Sequence, residues 1–124
     1  MKTQTPILED NLRRIDAAGG VIAAGTDTSN GASTQRELEL LAEAGIPPLE
    51  IVKIATFNGA RFLGRQDQMG SVEEGKIADA VLLSADPTAD VKNCKAILAV
   101  FKAGQIVDEL KLPLAGGPRP RRLR

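Results

Sequence analysis

Four apolar residues, Val21-Ile22-Ala23-Ala24, sit between Gly19-Gly20 and Gly25, and helical patterns flank them on both sides. A short run of this kind suits a strand buried on both faces of a sheet. A single strand makes no sheet, however, and nothing adjacent in the chain offers it a partner. This run constrains the fold more than any other feature. Either the strand belongs to a larger parallel assembly, or its edges must be satisfied in some other way.

The flanking segments read as follows. Thr5-Pro6 has the form of an N-cap followed by proline at the first helical position. Leu8, Leu12 and Ile15 then recur at helical spacing up to the glycine stop. After a polar loop from Gly25 to Gly31, Thr34 and Glu37 have capping-box spacing, with Leu38, Leu41 and Ala42 as the apolar stripe. Pro47-Pro48 opens a third helix running to Gly64, with Val52, Ala55, Phe62 and Leu63 expected to be buried. Beyond it the period shortens. Ala80-Val81-Leu82-Leu83 reads as a strand, and Ile97–Phe101 with Gln105–Val107 reads as a β-hairpin around Lys102-Ala103-Gly104. The expected order is helix, strand, helix, helix, then short strands.

At 124 residues the chain holds one domain's worth of core, and 43% apolar content argues against wholesale disorder. Phe57, Phe62 and Phe101 are the only aromatics, so no stacking platform for single-stranded nucleic acid is available. Sixteen basic and sixteen acidic side chains balance, which removes global steering towards DNA or anionic membranes. No apolar run approaches the roughly 20 residues needed to span a membrane. Cys94 stands alone and fits a reducing compartment, so a cytoplasmic location is expected. Arg119, Arg121, Arg122 and Arg124 crowd the end of the chain after Gly116-Gly117-Pro118. They read as a solvated tail, the alternative being an electrostatic contact with an acidic partner.

Histidine is absent. Neutral imidazole is the commonest zinc ligand and the usual base near neutral pH, so a self-sufficient zinc hydrolase is not expected here. Asp27 is the one carboxylate in a promising place, just past the C-terminal end of the candidate buried strand, where α/β proteins build their sites. Its plainer reading is an Asx-turn within its own loop. Thr28, Ser29 and Asn30 are substrate-loop candidates, and equally ordinary turn formers. The Gly70 to Gly75-Lys76 stretch lacks the spacing of a phosphate loop and precedes a strand where a phosphate loop opens a helix. Cys94 has no histidine to activate it and reads as an inert thiol.

Several blocks together resemble the amidohydrolase superfamily, on its imidazolonepropionase-like and prolidase-like branch. They are Gly25-Thr26-Asp27, the run Glu37 to Gly45, Pro48-Leu49-Glu50, the run Ala55 to Gly64, the run Gly70 to Leu83, Asp86-Pro87, and Val100 to Asp108. They occur in the family's order. The resemblance implies an α/β fold (α+β in isolation): the last helix, strand and helices of a (β/α)8 TIM barrel, then C-terminal strands of a composite β-sandwich. Residues 1–64 would be barrel, 65–112 sandwich strands, and 113–124 the Arg-rich tail.

By the same resemblance Asp27 would be the aspartate of the last barrel strand, binding a divalent metal such as zinc and moving a proton during hydrolysis of amide-like C–N bonds. The histidine and lysine or glutamate ligands that the family brings to that metal lie outside these blocks. The chain is therefore expected to be a C-terminal portion that binds no metal and catalyses nothing alone. The alternative is a non-catalytic, self-associating remnant or interaction protein. Its expected partners are itself, as a symmetric dimer, or the missing N-terminal portion, and neither nucleic acid nor membrane.

Overall fold

The computed structural model describes residues 5–28 and 31–107. Four helices come first: α1 (Thr5–Ala17), α2 (Gly31–Glu43), α3 (Pro48–Ala55) and α4 (Phe57–Phe62). A three-stranded antiparallel sheet follows, made of β1 (Ala80–Leu83), β2 (Ile97–Lys102) and β3 (Gln105–Ile106) in that spatial order. A 3-10 turn at Val91–Lys95, which the sequence reading does not contain, joins β1 to β2 and packs against α2 and α3. No described helix is long and apolar enough to cross a membrane.

The core is small and lies among the helices. Leu38 of α2, Ile46, Ile51 and Ile54 around α3, and Val91 of the 3-10 turn form it, with Leu41, Ala42 and Cys94 packed against them. The stripe expected on α2 is the one that packs. Its start differs: α2 begins at Gly31, so Thr34 lies inside the helix and the capping-box reading fails.

The third helix departs further. It breaks at Thr56 (φ −128°, ψ −85°), where the hydroxyl donates to the Val52 carbonyl at 2.7 Å. The Thr56 amide bonds instead to Lys53 O at 3.2 Å, so the side chain takes the place that the backbone amide would fill in an unbroken helix. The buried face is also not the expected one. Ile51, Ile54, Asn58 and Ala60 are buried, whereas Ala55, Phe62 and Leu63 are exposed and Val52 is half-buried. The helices turn the Ile51/Ile54/Asn58 row inward, and the apolar residues beyond it face outward.

The β1 strand and the hairpin form close to where their apolar runs place them. β1 pairs Ala80 with Phe101 and Val81 with Val100, and β2 pairs Phe101 with Ile106. Ala103 (φ 50°) and Gly104 (φ 78°) make the two-residue turn with left-handed backbone at both positions. Asp79 fastens that turn, because its carboxylate accepts from the Ala103 amide at 2.8 Å and pairs with Lys102. The Lys102 ammonium, then the Ala103 N–H, hold the Asp79 carboxyl below its ordinary pKa. That contribution is present above the unfolded-state value and is lost as the pH falls through the depressed one. Alanine is a costly choice for left-handed backbone, at roughly 1–2 kcal/mol. Ala103→Asn is therefore expected to stabilise the chain by about 0.5–1 kcal/mol, since Asn tolerates this conformation. Urea denaturation checks it, and a lowered midpoint would contradict the account.

Both faces of the sheet carry apolar side chains. Val81 and Leu82 are each about half exposed, and Leu98 and Ile106 about two-thirds. The 3-10 turn packs against β1.

Candidate functional site

The segment from Val21 to Thr26 leads to Asp27, and it is held from one side. The Ala24 amide donates to Ile54 O at 3.1 Å, and the Asn58 side-chain amide donates to Ile22 O at 2.8 Å. Ile22 and Ala24 pack on the helical core. Residues 21 to 26 alternate between exposed and half-buried, which is the period of an extended chain. Yet no ladder forms. Strand status requires a neighbouring strand, and none of the described residues supplies one, so the expected strand is an extended segment docked on helices.

Asn58 is the residue that sequence reasoning missed. It is buried, and its amide reaches back 36 residues in sequence to grip the segment before Asp27. The available signal was a polar side chain in phase with Ile51 and Ile54, because a buried amide is retained where it has a backbone partner.

Asp27 itself lies in an exposed bend directly after this segment. Its carboxylate has no hydrogen bond or ion pair among the described residues. The loop's own turn is made by Thr26, whose hydroxyl accepts from the Thr28 amide at 3.3 Å and lies 3.1 Å from the Thr28 hydroxyl. Thr28 is exposed beside Asp27, while Ser29 and Asn30 lie outside the described residues. So do the arginines of the C-terminal tail.

The divalent metal implied by the resemblance does not fit the donors that the described residues offer. Among the described residues no three His, Cys, Asp or Glu side chains come together in a group that could hold an ion. Zinc needs about four donors, and Asp27 offers one carboxylate. The thiol of Cys94 is half-buried against the apolar core, and burial pushes its pKa up, away from the thiolate that a metal would need.

Several other charged groups pair with one another. Arg36 bridges to Glu43 at 2.7 Å and to Glu39 at 3.1 Å on α2, and Lys95 of the 3-10 turn also pairs with Glu39. The Lys95 ammonium, then the Arg36 guanidinium, hold the Glu39 carboxyl below the usual range. Lys76, nearly buried, donates to Ser71 Oγ at 2.6 Å and to Glu73 at 2.8 Å, with its Nζ 6.0 Å from the Phe57 ring centre. The Gly70 to Lys76 stretch is thus closed on itself by Lys76, whose ammonium also lies over the Phe57 ring of α4.

The model of the amidohydrolase family matches residues 4–107. Ochratoxinase from Aspergillus niger is 39% identical over 94 residues, covering 72% of this chain and 20% of that protein. Imidazolonepropionase from Shouchella clausii is 33% identical over 107 residues, covering 80% of this chain and 24% of that protein. The crystal structure of a putative prolidase from Bifidobacterium longum superimposes with a TM-score of 0.74 at 35% identity, over 93% of this chain and 28% of that one. The chain thus spans between a fifth and three-tenths of the length of these relatives. A match that extends from the start of α1 through the hairpin takes in every described element, and the chain belongs to the amidohydrolase family.

Proposed function

We propose that this chain supplies the closing part of an amidohydrolase barrel, with Asp27 as a proton-handling carboxylate for hydrolysis of amide-like C–N bonds, and that it is inactive on its own. In this reading α1, the Val21–Ala24 segment and α2 to α4 are barrel elements, and β1 to β3 are strands of the adjoining sandwich. The observation that carries it is the placement of Asp27: an unpartnered, exposed carboxylate at the end of an extended segment whose far side is bare. A carboxylate there can exchange protons with a substrate or water, and among the described residues no group of metal-ligating side chains accompanies it to polarise the scissile amide. Any other members of the site would come from outside the 124 residues.

The test has two arms. The purified chain, exposed to zinc, is expected to hold less than stoichiometric metal and to hydrolyse nothing on a panel of dipeptides and aryl amides. Its Asp27→Asn form is expected to behave identically. In the second arm the chain is co-expressed with a prolidase-like relative truncated before its own matching segment. Turnover that appears only with both pieces, and is lost with Asp27→Asn, supports the reading. Tight stoichiometric zinc with turnover by the chain alone would overturn the inactivity. Turnover in the mixture that survives Asp27→Asn would overturn the role of Asp27.

A further inference from the structure

In the first turn of α4, Asn58 is followed directly by Gly59. An asparagine before glycine is the kind that deamidates most readily, because no side chain stands between the glycine nitrogen and the asparagine's side-chain carbonyl carbon. Packing does not require this glycine. Its backbone is helical, and a Cβ on it would meet no described atom within 4 Å. Glycine inside a helix is also less stable than alanine. Asn58 is 8% exposed, and its side-chain amide donates to Ile22 O at 2.8 Å. The reactive pair and the bond that holds the segment before Asp27 thus share one side chain.

We propose that Asn58 is a latent deamidation site, kept unreactive by its bond to Ile22 and open to reaction whenever α4 unfolds. In the reaction the Gly59 nitrogen attacks Asn58 Cγ. A new C–N bond forms, the C–NH2 bond breaks, and ammonia leaves with the proton that Gly59 gives up. Water then opens the cyclic imide at either carbonyl, which yields aspartate or isoaspartate. The folded chain opposes the first step. The helical ψ of Asn58 turns the Gly59 nitrogen away from the carbon it must attack. The bond to Ile22 O fixes the carboxamide, and burial keeps its NH2 from the water that would carry ammonia away. The product cannot resume the hold. A carboxylate at position 58 has no N–H for Ile22 O, and a buried charge set against a carbonyl oxygen is costly. Isoaspartate also routes the main chain of α4 through Cβ and lengthens it. The Ala24 bond to Ile54 O then loses its companion, and the approach to Asp27 loosens. This chemistry is independent of the hydrolytic reading, since it needs only Asn58, Gly59 and Ile22.

The full chain is incubated at mildly alkaline pH, once in buffer and once in guanidinium chloride, and peptide mapping by mass spectrometry follows Asn58. In guanidinium its deamidation is expected to keep pace with Asn30-Gly31, the same pair elsewhere in the chain. In buffer Asn58 should react roughly a hundredfold or more slowly, because opening of a buried helix limits it. Gly59→Ala should slow the reaction in guanidinium several-fold and leave native circular dichroism unchanged. Chains in an Asn30→Gln background are then aged in guanidinium and refolded, so that only Asn58 reports. Those that keep Asn58 should regain slow amide exchange at Ala24, and the deamidated ones should not. Equal rates at Asn58 in buffer and in guanidinium would overturn the proposal. So would deamidated chains whose Ala24 amide is again protected.

Discussion

Replacing Ile51 by alanine is expected to cost the chain about 2–5 kcal/mol, the usual range for removing this much of a buried aliphatic side chain. Ile51 has no exposed surface, and it stands in the core cluster with Leu38, Ile46, Ile54 and Val91. Those residues come from α2, the loop after it, α3 and the 3-10 turn, so the cavity would open where four parts of the chain meet. Few other buried residues exist to absorb the loss. The cost is a large share of the stability of an ordinary small domain, roughly 5–15 kcal/mol in total. Urea denaturation at one fixed protein concentration is the measurement, because self-association makes apparent stability depend on concentration. A loss below about 1 kcal/mol would show that the helices repack freely and that the cluster is not the core.

Gly70→Ala is expected to have an effect of similar size through a different cause. Gly70 has φ +93°, where a side chain is strained. A Cβ there would also lie 2.6 Å from Ala60 Cβ and 3.2 Å from Phe57 Cα. Both neighbours belong to the short helix α4, and Phe57 is backbone at the point of contact, so neither yields by a simple rotamer change. Left-handed strain of roughly 1–2 kcal/mol and overpacking of roughly 1–3 kcal/mol together give about 2–5 kcal/mol. The change should also disturb the clasp that Lys76 makes with Ser71 and Glu73 directly after Gly70. Chemical denaturation reads the total, and amide exchange at residues 71–77 reads the clasp. If Gly70→Ala is neutral in denaturation, the close approach is not a real constraint.

The two substitutions differ in how far the sequence foretold them. Glycines at 64, 70 and 75 mark a turn-rich stretch on sight, but that Gly70 touches α4 follows from packing. Ile51 is less legible still. The run from Pro48 to Leu63 contains enough apolar residues to draw more than one helical stripe, and the row through Val52, Ala55 and Phe62 looks as plausible as the row through Ile51 and Ile54. Periodicity gives the spacing of a stripe, and its phase is decided by what lies opposite. Here α2, Ile46 and Val91 lie opposite, and they select Ile51 and Ile54. Phe62 and Leu63 are left facing outward.

Asp27 shows the same division. Its place after an apolar run and before a helix was readable in the sequence. Asn58 was not readable as a support for the same segment, because a contact spanning 36 residues leaves no local trace beyond one polar residue on an apolar face.

What this sequence determines by itself is whatever local physics decides. The proline and glycine boundaries of the helices, the apolar stripe of α2, the apolar runs of β1 and β2 and the break between β2 and β3 at Lys102-Ala103-Gly104 are all legible within a few residues. Family membership is also carried in these blocks, because it rests on their order along the chain. The tertiary structure alone decides the break at Thr56, the phase of burial in α3, the grip of Asn58 on Ile22 and the state of Val21–Ala24. A strand is defined by its neighbour, and backbone hydrogen-bonding capacity left on one edge cannot be satisfied from within the segment. Val21–Ala24 has the composition of a buried strand and no strand beside it, so whether it becomes one depends on what is brought to its free edge.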